Sequence, residues 1–352
     1  MISALFFVFS MTAADSTLGN LTAIDLQPPD TFSGQVVLGS RSDILFSGVF
    51  GLADRANEVP VTPDTLFDIG SLTKSVTAAG VLMLVQEGRM SLDEPLSAFF
   101  DTLPTEWAGQ TVHSLLTHTS GLPQYSGEDY DLVNRDEFDA WLARAESGDA
   151  EAGNFHYSNP GYAVLARIIE MRSGMDFETF IHERLLVPAG LCNMGYRLLA
   201  SDVPEAIGYL GGEALGRPKE QAWLDDGPSW NLRGNGGYLT SAETLYRWTV
   251  ALTGGDVLDA EHTALLFQPH VVRNAERGTS YGYGWDVVGR DPVERVSHSG
   301  GNMVFVTYAE WQPQSDCFIA ITSNAFDESN IGIVVGAARD AISNAPECAV
   351  DD

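Results

Sequence analysis

A chain of 352 residues with 44% hydrophobic and 19% charged side chains holds enough apolar material for a folded core in one or two domains, which excludes a disordered chain. Its 48 acidic against 19 basic side chains leave a formal net charge of -29. Such a field repels phosphate backbones and anionic lipid surfaces, so nucleic acid and membrane surfaces drop out as partners. Acidic runs such as Glu128-Asp129-Tyr130-Asp131 and Asp136-Glu137-Phe138-Asp139 read as solvated faces rather than metal sites.

From the N-terminus, residues 2–11 form a short apolar stretch followed by Thr12-Ala13-Ala14 and then polar sequence. This reads as a signal peptide over 1–14, too short to cross a bilayer, and it implies an exported, periplasmic or extracellular protein with no membrane span in the mature chain. No Lys or Arg precedes the apolar run, so the competing expectation is an N-terminal helix packed on the body. Residues 34–38 and 44–52 then read as strands around the polar turn Gly39-Ser40-Arg41-Ser42-Asp43. Beyond Pro60 and Pro63, the residues Val76, Ala79, Leu82, Met83 and Leu84 mark a helix apolar enough to be buried on most sides, stopping near Gly88.

Helical patterns follow at 113–118, 136–144, 161–171 and 177–186, broken by Pro, Gly and polar loops. A further helix at 241–252 leads into strands at 284–288, 295–299, 304–311 and 318–323, and a last helix spans 329–342. Strands at both ends with helices between them imply an α/β body, 15–90 and 235–352, carrying a mainly helical domain at 91–234. Of the three cysteines, Cys192, Cys317 and Cys348, an exported protein could pair two; Cys317 opens an apolar strand and Cys348 follows the last helix, so that pair is open to them. Their spacing matches no zinc site.

Only two lysines occur, Lys74 and Lys219, and Lys74 stands three positions after Ser71 in Asp68-Ile69-Gly70-Ser71-Leu72-Thr73-Lys74. Residues three apart share a helix face, so this spacing can set an amine beside a serine hydroxyl. A desolvated amine can take the hydroxyl proton and make the serine a nucleophile. The same residues also fit a helix cap followed by a solvated lysine. A second group is His156-Tyr157-Ser158-Asn159-Pro160-Gly161. Proline disfavours the α conformation in the residue before it, so Asn159 is expected to be extended and to point the same way as Tyr157. Alternatively Asn159 is the N-cap of the helix that follows. The third group, Val296-Ser297-His298-Ser299-Gly300-Gly301, ends a strand; His298 and Gly300 share a face, and Gly300 permits close approach of another element. A lone strand histidine is usually a packing residue, but beside a serine and an amine it becomes a proton relay or an electrostatic contact.

In this order the three groups resemble the serine β-lactamase and penicillin-binding-protein superfamily, closest to its branch of class C β-lactamases, D-alanyl-D-alanine carboxypeptidases and related carboxylesterases. Ser71-Leu72-Thr73-Lys74 is similar to the S-x-x-K element, Tyr157-Ser158-Asn159 to Y-S-N and His298-Ser299-Gly300 to the H/K-[ST]-G strand. Leu115-Leu116-Thr117-His118-Thr119-Ser120-Gly121-Leu122-Pro123, Asn235-Gly236-Gly237-Tyr238 and Tyr283-Gly284-Trp285 look like family members too, so the resemblance covers nearly all of the mature chain.

The resemblance implies a β-lactamase/transpeptidase-like fold, an antiparallel sheet flanked by helices with an inserted all-helical domain. It implies no cofactor, no metal, and a small-molecule or peptide substrate. Ser71 would attack a carbonyl and form an acyl-enzyme, with Lys74 and Tyr157 sharing the proton transfers and His298 adding positive charge when protonated. Asn159 would orient Lys74 or a substrate amide. The backbone N–H groups of Ser71 and Gly301 would form the oxyanion hole, beside Gly300, each donor worth ~3 kcal/mol. Where the lactamase branch usually has Lys, this chain has His298, and where carboxylate-binding relatives commonly carry a small hydroxyl or methyl residue it has Gly301. Both departures favour ester or amide hydrolysis over penicillin or a D-Ala-D-Ala terminus. The competing class is a binding or sensor module that acylates without turnover. No G-x-S-x-G elbow is present, and His182-Glu183-Arg184-Leu185-Leu186 lacks the second histidine of a zinc protease helix.

Overall fold

The computed structural model describes residues 26, 28–146, 151–199, 202–221, 223–325 and 328–349, the side chains of 328–330 excepted. The signal peptide expected over 1–14 lies outside the described residues. Eight strands form one antiparallel sheet in the spatial order Val271–Asn274, Thr279–Tyr281, Asp286–Gly289, Val293–Gly301, Val306–Gln312, Cys317–Ser323, Gly34–Ser40, Ile44–Phe50. Gly34 pairs with Ser323 and Ser40 with Cys317, so the two ends of the sequence build a single sheet.

The period-two alternation of a strand gives this sheet two apolar faces. Val37, Phe318 and Ala320 pack toward the helix Ala242–Gly254, whereas Val36, Leu38, Ile319 and Ile321 pack with Val334, Ala338 and Ile342 of the helix Glu328–Ser343. Each Val, Leu, Ile or Phe among them contributes about 1.5–3 kcal/mol through burial. Cys317 is disulfide-bonded to Cys348, which ties the end of the chain to the last strand, and Cys192 is free and exposed.

The helix Thr73–Gln86 is buried from Thr73 to Leu84. It lies against the helices Asn159–Ser173, Phe177–Ile181 and Ala260–Phe267, which explains why its sequence is apolar all round. Trp248 Nε1 donates to Ser75 Oγ at 3.0 Å, pinning it to the helix that covers the sheet. Gly88, at φ +67, stands just past its end, where the sequence places the stop.

Among the elements that go beyond the sequence reading are the helix Ala260–Phe267 and the strands Val271–Asn274 and Thr279–Tyr281. Val271–Asn274 is an edge strand with mostly exposed side chains, so it lacks the alternating apolar signal of an interior strand. The expected all-helical insert also needs correction: two small hairpins, Gly208–Leu210 with Glu213–Gly216 and Trp223–Leu224 with Gly227–Pro228, lie within 91–234. Among the described residues no helix is long and apolar enough to cross a membrane.

Candidate active site

Ser71 lies in a 3-10 turn, Gly70–Leu72, that runs straight into the helix Thr73–Gln86. Gly70 takes φ +50, and a Cβ there would stand 2.4 Å from Gly301 N. At Gly300 a Cβ would stand 1.8 Å from Ile69 O. Backbone therefore meets backbone between the His298 strand and the nucleophile turn, as the sequence predicts for Gly300. Thr307 Oγ1 donates to Ile69 O at 2.9 Å and holds the turn from the next strand. Asp68 adds a second clamp: Oδ1 accepts the Gly70 N–H at 2.7 Å and Oδ2 accepts from Asn302 Nδ2 at 2.9 Å. Burial raises the Asp68 carboxyl to about 7 in spite of those bonds.

Lys74 is fully buried, and its Nζ donates to Ser71 Oγ at 3.1 Å and to Asn235 O at 2.8 Å. Burial lowers its pKa to about 7, with the Asp129 charge pulling weakly the other way. The amine therefore exists in both protonation states near neutrality, as a base for a serine requires. Of the two amines offered by the sequence, the other, Lys219, is ion-paired with Glu205.

Tyr157 is half-buried beside Ser71, close enough for its hydroxyl to interact with the serine electrostatically, with Lys74 Nζ 4.9 Å from its ring centroid. Burial raises the phenol above its ordinary value, outweighing the Ser71 hydroxyl and the Arg273 charge that lower it. It is a proton donor at neutral pH, not a phenolate. Its loop is held by His118, whose Nδ1 accepts the Ser158 N–H at 3.0 Å and whose ring lies 4.3 Å from that of Tyr157.

The sequence expectation for Asn159 is corrected. Ser158, not Asn159, is the N-cap, its Oγ accepting the Gly161 N–H at 3.1 Å, and Asn159 is the first helical residue rather than extended. Capping overrides the preference that Pro160 imposes on its neighbour. Asn159 still lines the cleft above Ser71.

His298 stands apart from the reacting groups, its ring centroid 6.4 Å from that of Tyr157. Nδ1 lies 2.7 Å from Ser299 O and must donate to it, so Nε2 carries the lone pair and accepts from Tyr281 Oη at 3.2 Å. Burial, then the charges of Lys74 and Arg273, lower the imidazole to about 3. The expectation that protonated His298 supplies positive charge is therefore corrected: it is neutral at physiological pH. The fixed cation nearby is Arg273, ion-paired with Asp286, its Cζ 6.0 Å from the Tyr157 ring centroid. Arg273 and Tyr281 both come from the edge hairpin that the sequence reading missed.

A cleft of about 30 Å³ lies over the nucleophile, lined by residues including Ser71, Asp129, Asn159, Asn235, Gly301 and Asn302. Asp129, which the sequence reads as part of a solvated face, is in this wall. Among the described residues no group of three or more His, Cys, Asp and Glu is placed to hold a metal ion. Ser71, Lys74, Tyr157, Asn159 and Gly301 thus converge, whereas His298 sits behind them.

A family model described as Beta-lactamase matches residues 29–338. The chain is 31% identical over 292 residues to Penicillin-binding protein 4* of Bacillus subtilis (strain 168), 77% of this chain and 63% of that protein. It therefore spans less than two-thirds of that relative's length. It is 30% identical over 305 residues to Penicillin-binding protein 4 of Amycolatopsis lactamdurans, covering 78% of this chain and 76% of that one. The crystal structure of a penicillin binding protein from Bacillus halodurans matches with TM-score 0.73 at 26% identity, over 88% of this chain and 97% of that chain. Sheet order, the serine turn with its buried lysine, and these likenesses agree that the chain belongs to the beta-lactamase family, in the superfamily of serine β-lactamases and penicillin-binding proteins.

Proposed function

We propose that this protein is a serine hydrolase that cleaves an ester, amide or lactam carbonyl through an acyl-enzyme on Ser71, acting as an esterase or a D-Ala-D-Ala carboxypeptidase-like peptidase outside the cytoplasm. The observation that carries this reading is Lys74 Nζ at 3.1 Å from Ser71 Oγ, with burial bringing its pKa to about 7. In its neutral form the amine accepts the Ser71 proton as Oγ bonds to the substrate carbonyl carbon. The amide N–H groups of Ser71 and Gly301 receive the negative charge on the carbonyl oxygen. Tyr157, held as a phenol, passes a proton to the leaving group and is reprotonated from Lys74. Water then attacks the ester by the reverse of these transfers. His298 and Tyr281 shape the wall beside Tyr157 without adding charge.

The test is a pair of readouts on one variant. Ser71→Ala should abolish labelling by a fluorophosphonate and hydrolysis of p-nitrophenyl butyrate; labelling that persists would remove Ser71 as nucleophile. A second reading, a slowly deacylating penicillin-binding module or a β-lactamase, is favoured by the names of the relatives, which are penicillin-binding proteins. Turnover of the butyrate ester beyond one equivalent excludes slow deacylation for esters, and nitrocefin hydrolysis would support the lactamase.

A further inference from the structure

His118 has no step in the chemistry above, yet the fold carries two costs to keep it. Its backbone takes φ +58, and it is buried, whereas Glu58 and Asp316, the other non-glycine residues with positive φ among the described residues, are not. Its ring carries the second cost. Nδ1 accepts the Ser158 N–H at 3.0 Å, so the proton sits on Nε2, and Nε2 is buried with no hydrogen-bond partner. Burial, then the charge of Lys74, hold the imidazole neutral, as that acceptor role requires. A phenylalanine would spare the orphan Nε2 donor but leave the Ser158 N–H unpaired in its place. What the histidine preserves is the position of the loop. Backbone strain and an unpaired donor, retained together beside a reacting centre, point to a role there.

The residue it acts on is Tyr157. His118 O accepts the His156 N–H at 2.8 Å while Nδ1 accepts the Ser158 N–H, so one residue grips the chain immediately before and after the tyrosine. The imidazole lies 4.3 Å from the phenol ring, tilted by 35°. Tyr162 and Tyr281 back it at 5.1 and 4.9 Å, and their own hydroxyls are tied to Leu116 O at 2.9 Å and His298 Nε2 at 3.2 Å. The imidazole is thus wedged in place, and it limits how the phenol can turn. We propose that His118 is a positioning residue that fixes the Tyr157 phenol on the path by which the leaving group receives its proton. This deepens the hydrolase reading above and rests on it. No bond of the reaction changes: Tyr157 Oη gives its proton to the leaving atom as that atom's bond to the acyl carbon breaks, and Lys74 reprotonates it.

Leaving-group dependence separates this from a purely structural role. p-Nitrophenolate departs without a proton, whereas phenol, with a pKa of about 10 like that of tyrosine, leaves more readily with one. Both butyrate esters give the same acyl-enzyme, so the ratio of their kcat/KM values reports proton delivery during acylation. Glycine and asparagine both accept a left-handed φ, but only asparagine keeps a side-chain acceptor for the Ser158 N–H. In His118→Gly the p-nitrophenyl-to-phenyl ratio should rise about tenfold or more over the wild type, and in His118→Asn it should stay within about threefold. An equal fall on both esters in His118→Gly, or a ratio that rises as far in His118→Asn, overturns the positioning role while leaving the hydrolase intact. Should His118→Gly fail to fold, nitrogen NMR of isotope-labelled histidine in the wild type decides. Its His118 ring should show Nδ1 bare and Nε2 protonated at about pH 6 to 8, and a cationic ring or the opposite tautomer overturns the proposal. Absence of Ser71-dependent cleavage of both esters would instead remove the hydrolase reading and this inference with it.

Discussion

Replacing Lys74 by Met should stabilise the protein near neutral pH while abolishing its activity, and the stability gain should shrink as the pH rises. Lys74 ionises near its ordinary value of 10.5 in the unfolded chain and at about 7 in the folded site, because burial disfavours the ammonium. Between those two values the unfolded chain holds a proton that the folded site has released, so wild-type stability rises with pH across that window, by at most about 1.4 kcal/mol per unit. At pH 7 the unfavourable ionisation amounts to about 4 kcal/mol, and at pH 9 to about 2 kcal/mol. Methionine has a similar shape and no charge, so it escapes this penalty. It also leaves Asn235 O without the Lys74 donor, a loss of about 1–3 kcal/mol that does not vary with pH. The stability difference between variant and wild type should therefore fall by about 2 kcal/mol between pH 7 and pH 9. Denaturant unfolding of both proteins at pH 7, 8 and 9 measures it directly. A difference that is flat across this range would refute the buried, half-ionised amine, and with it the assignment of Lys74 as the base.

Because neutral Lys74 is the active form, kcat/KM for an ester should rise through an acid limb near the Lys74 pKa of about 7. His298→Gln should keep that limb in place, since His298 stays neutral down to about 3, and Asp68→Asn should keep it too, although Asp68 titrates at about 7. A limb that disappears in either variant assigns it to that residue instead. Gly300→Ala would bring a Cβ to 1.8 Å from Ile69 O, a backbone atom that cannot rotate away. A loss of about 1–3 kcal/mol in stability and roughly 100-fold in kcat/KM is expected, and full activity would show that the strand and the serine turn need no such contact. Removing the Cys317–Cys348 bond, which closes a separation of 31 residues, with the double Cys→Ala variant should lower unfolding stability by about 4 kcal/mol. Thiol titration of the denatured, unreduced wild type should find Cys192 alone, and three reactive thiols would contradict the bond.

The chemistry of the site is largely written in short runs of sequence. Ser71 and Lys74 share a helix face by spacing alone, and Gly300 announces a close approach that the fold makes against Ile69 O. The strong interior strands and the apolar Ser71 helix were legible for the same reason, since periodic burial leaves a periodic pattern. What the chain could not declare is how its parts alter one another. The edge hairpin has no apolar alternation, so Arg273 and Tyr281 carried no signal, yet Tyr281 hydrogen-bonds His298, and the Arg273 charge, after burial and Lys74, helps keep that imidazole neutral. Asp129 looked like one more solvated acid until the fold turned it into the cleft wall. Ser158 took the cap that Asn159 was expected to occupy, because Pro123 O and Gly161 N–H are both within reach of its hydroxyl. Protonation states belong to the same category: a lysine at about 7 and a histidine at about 3 arise from burial and from neighbouring charge. Both are properties of three-dimensional surroundings, set by segments far apart in the chain and therefore decided only when it folds.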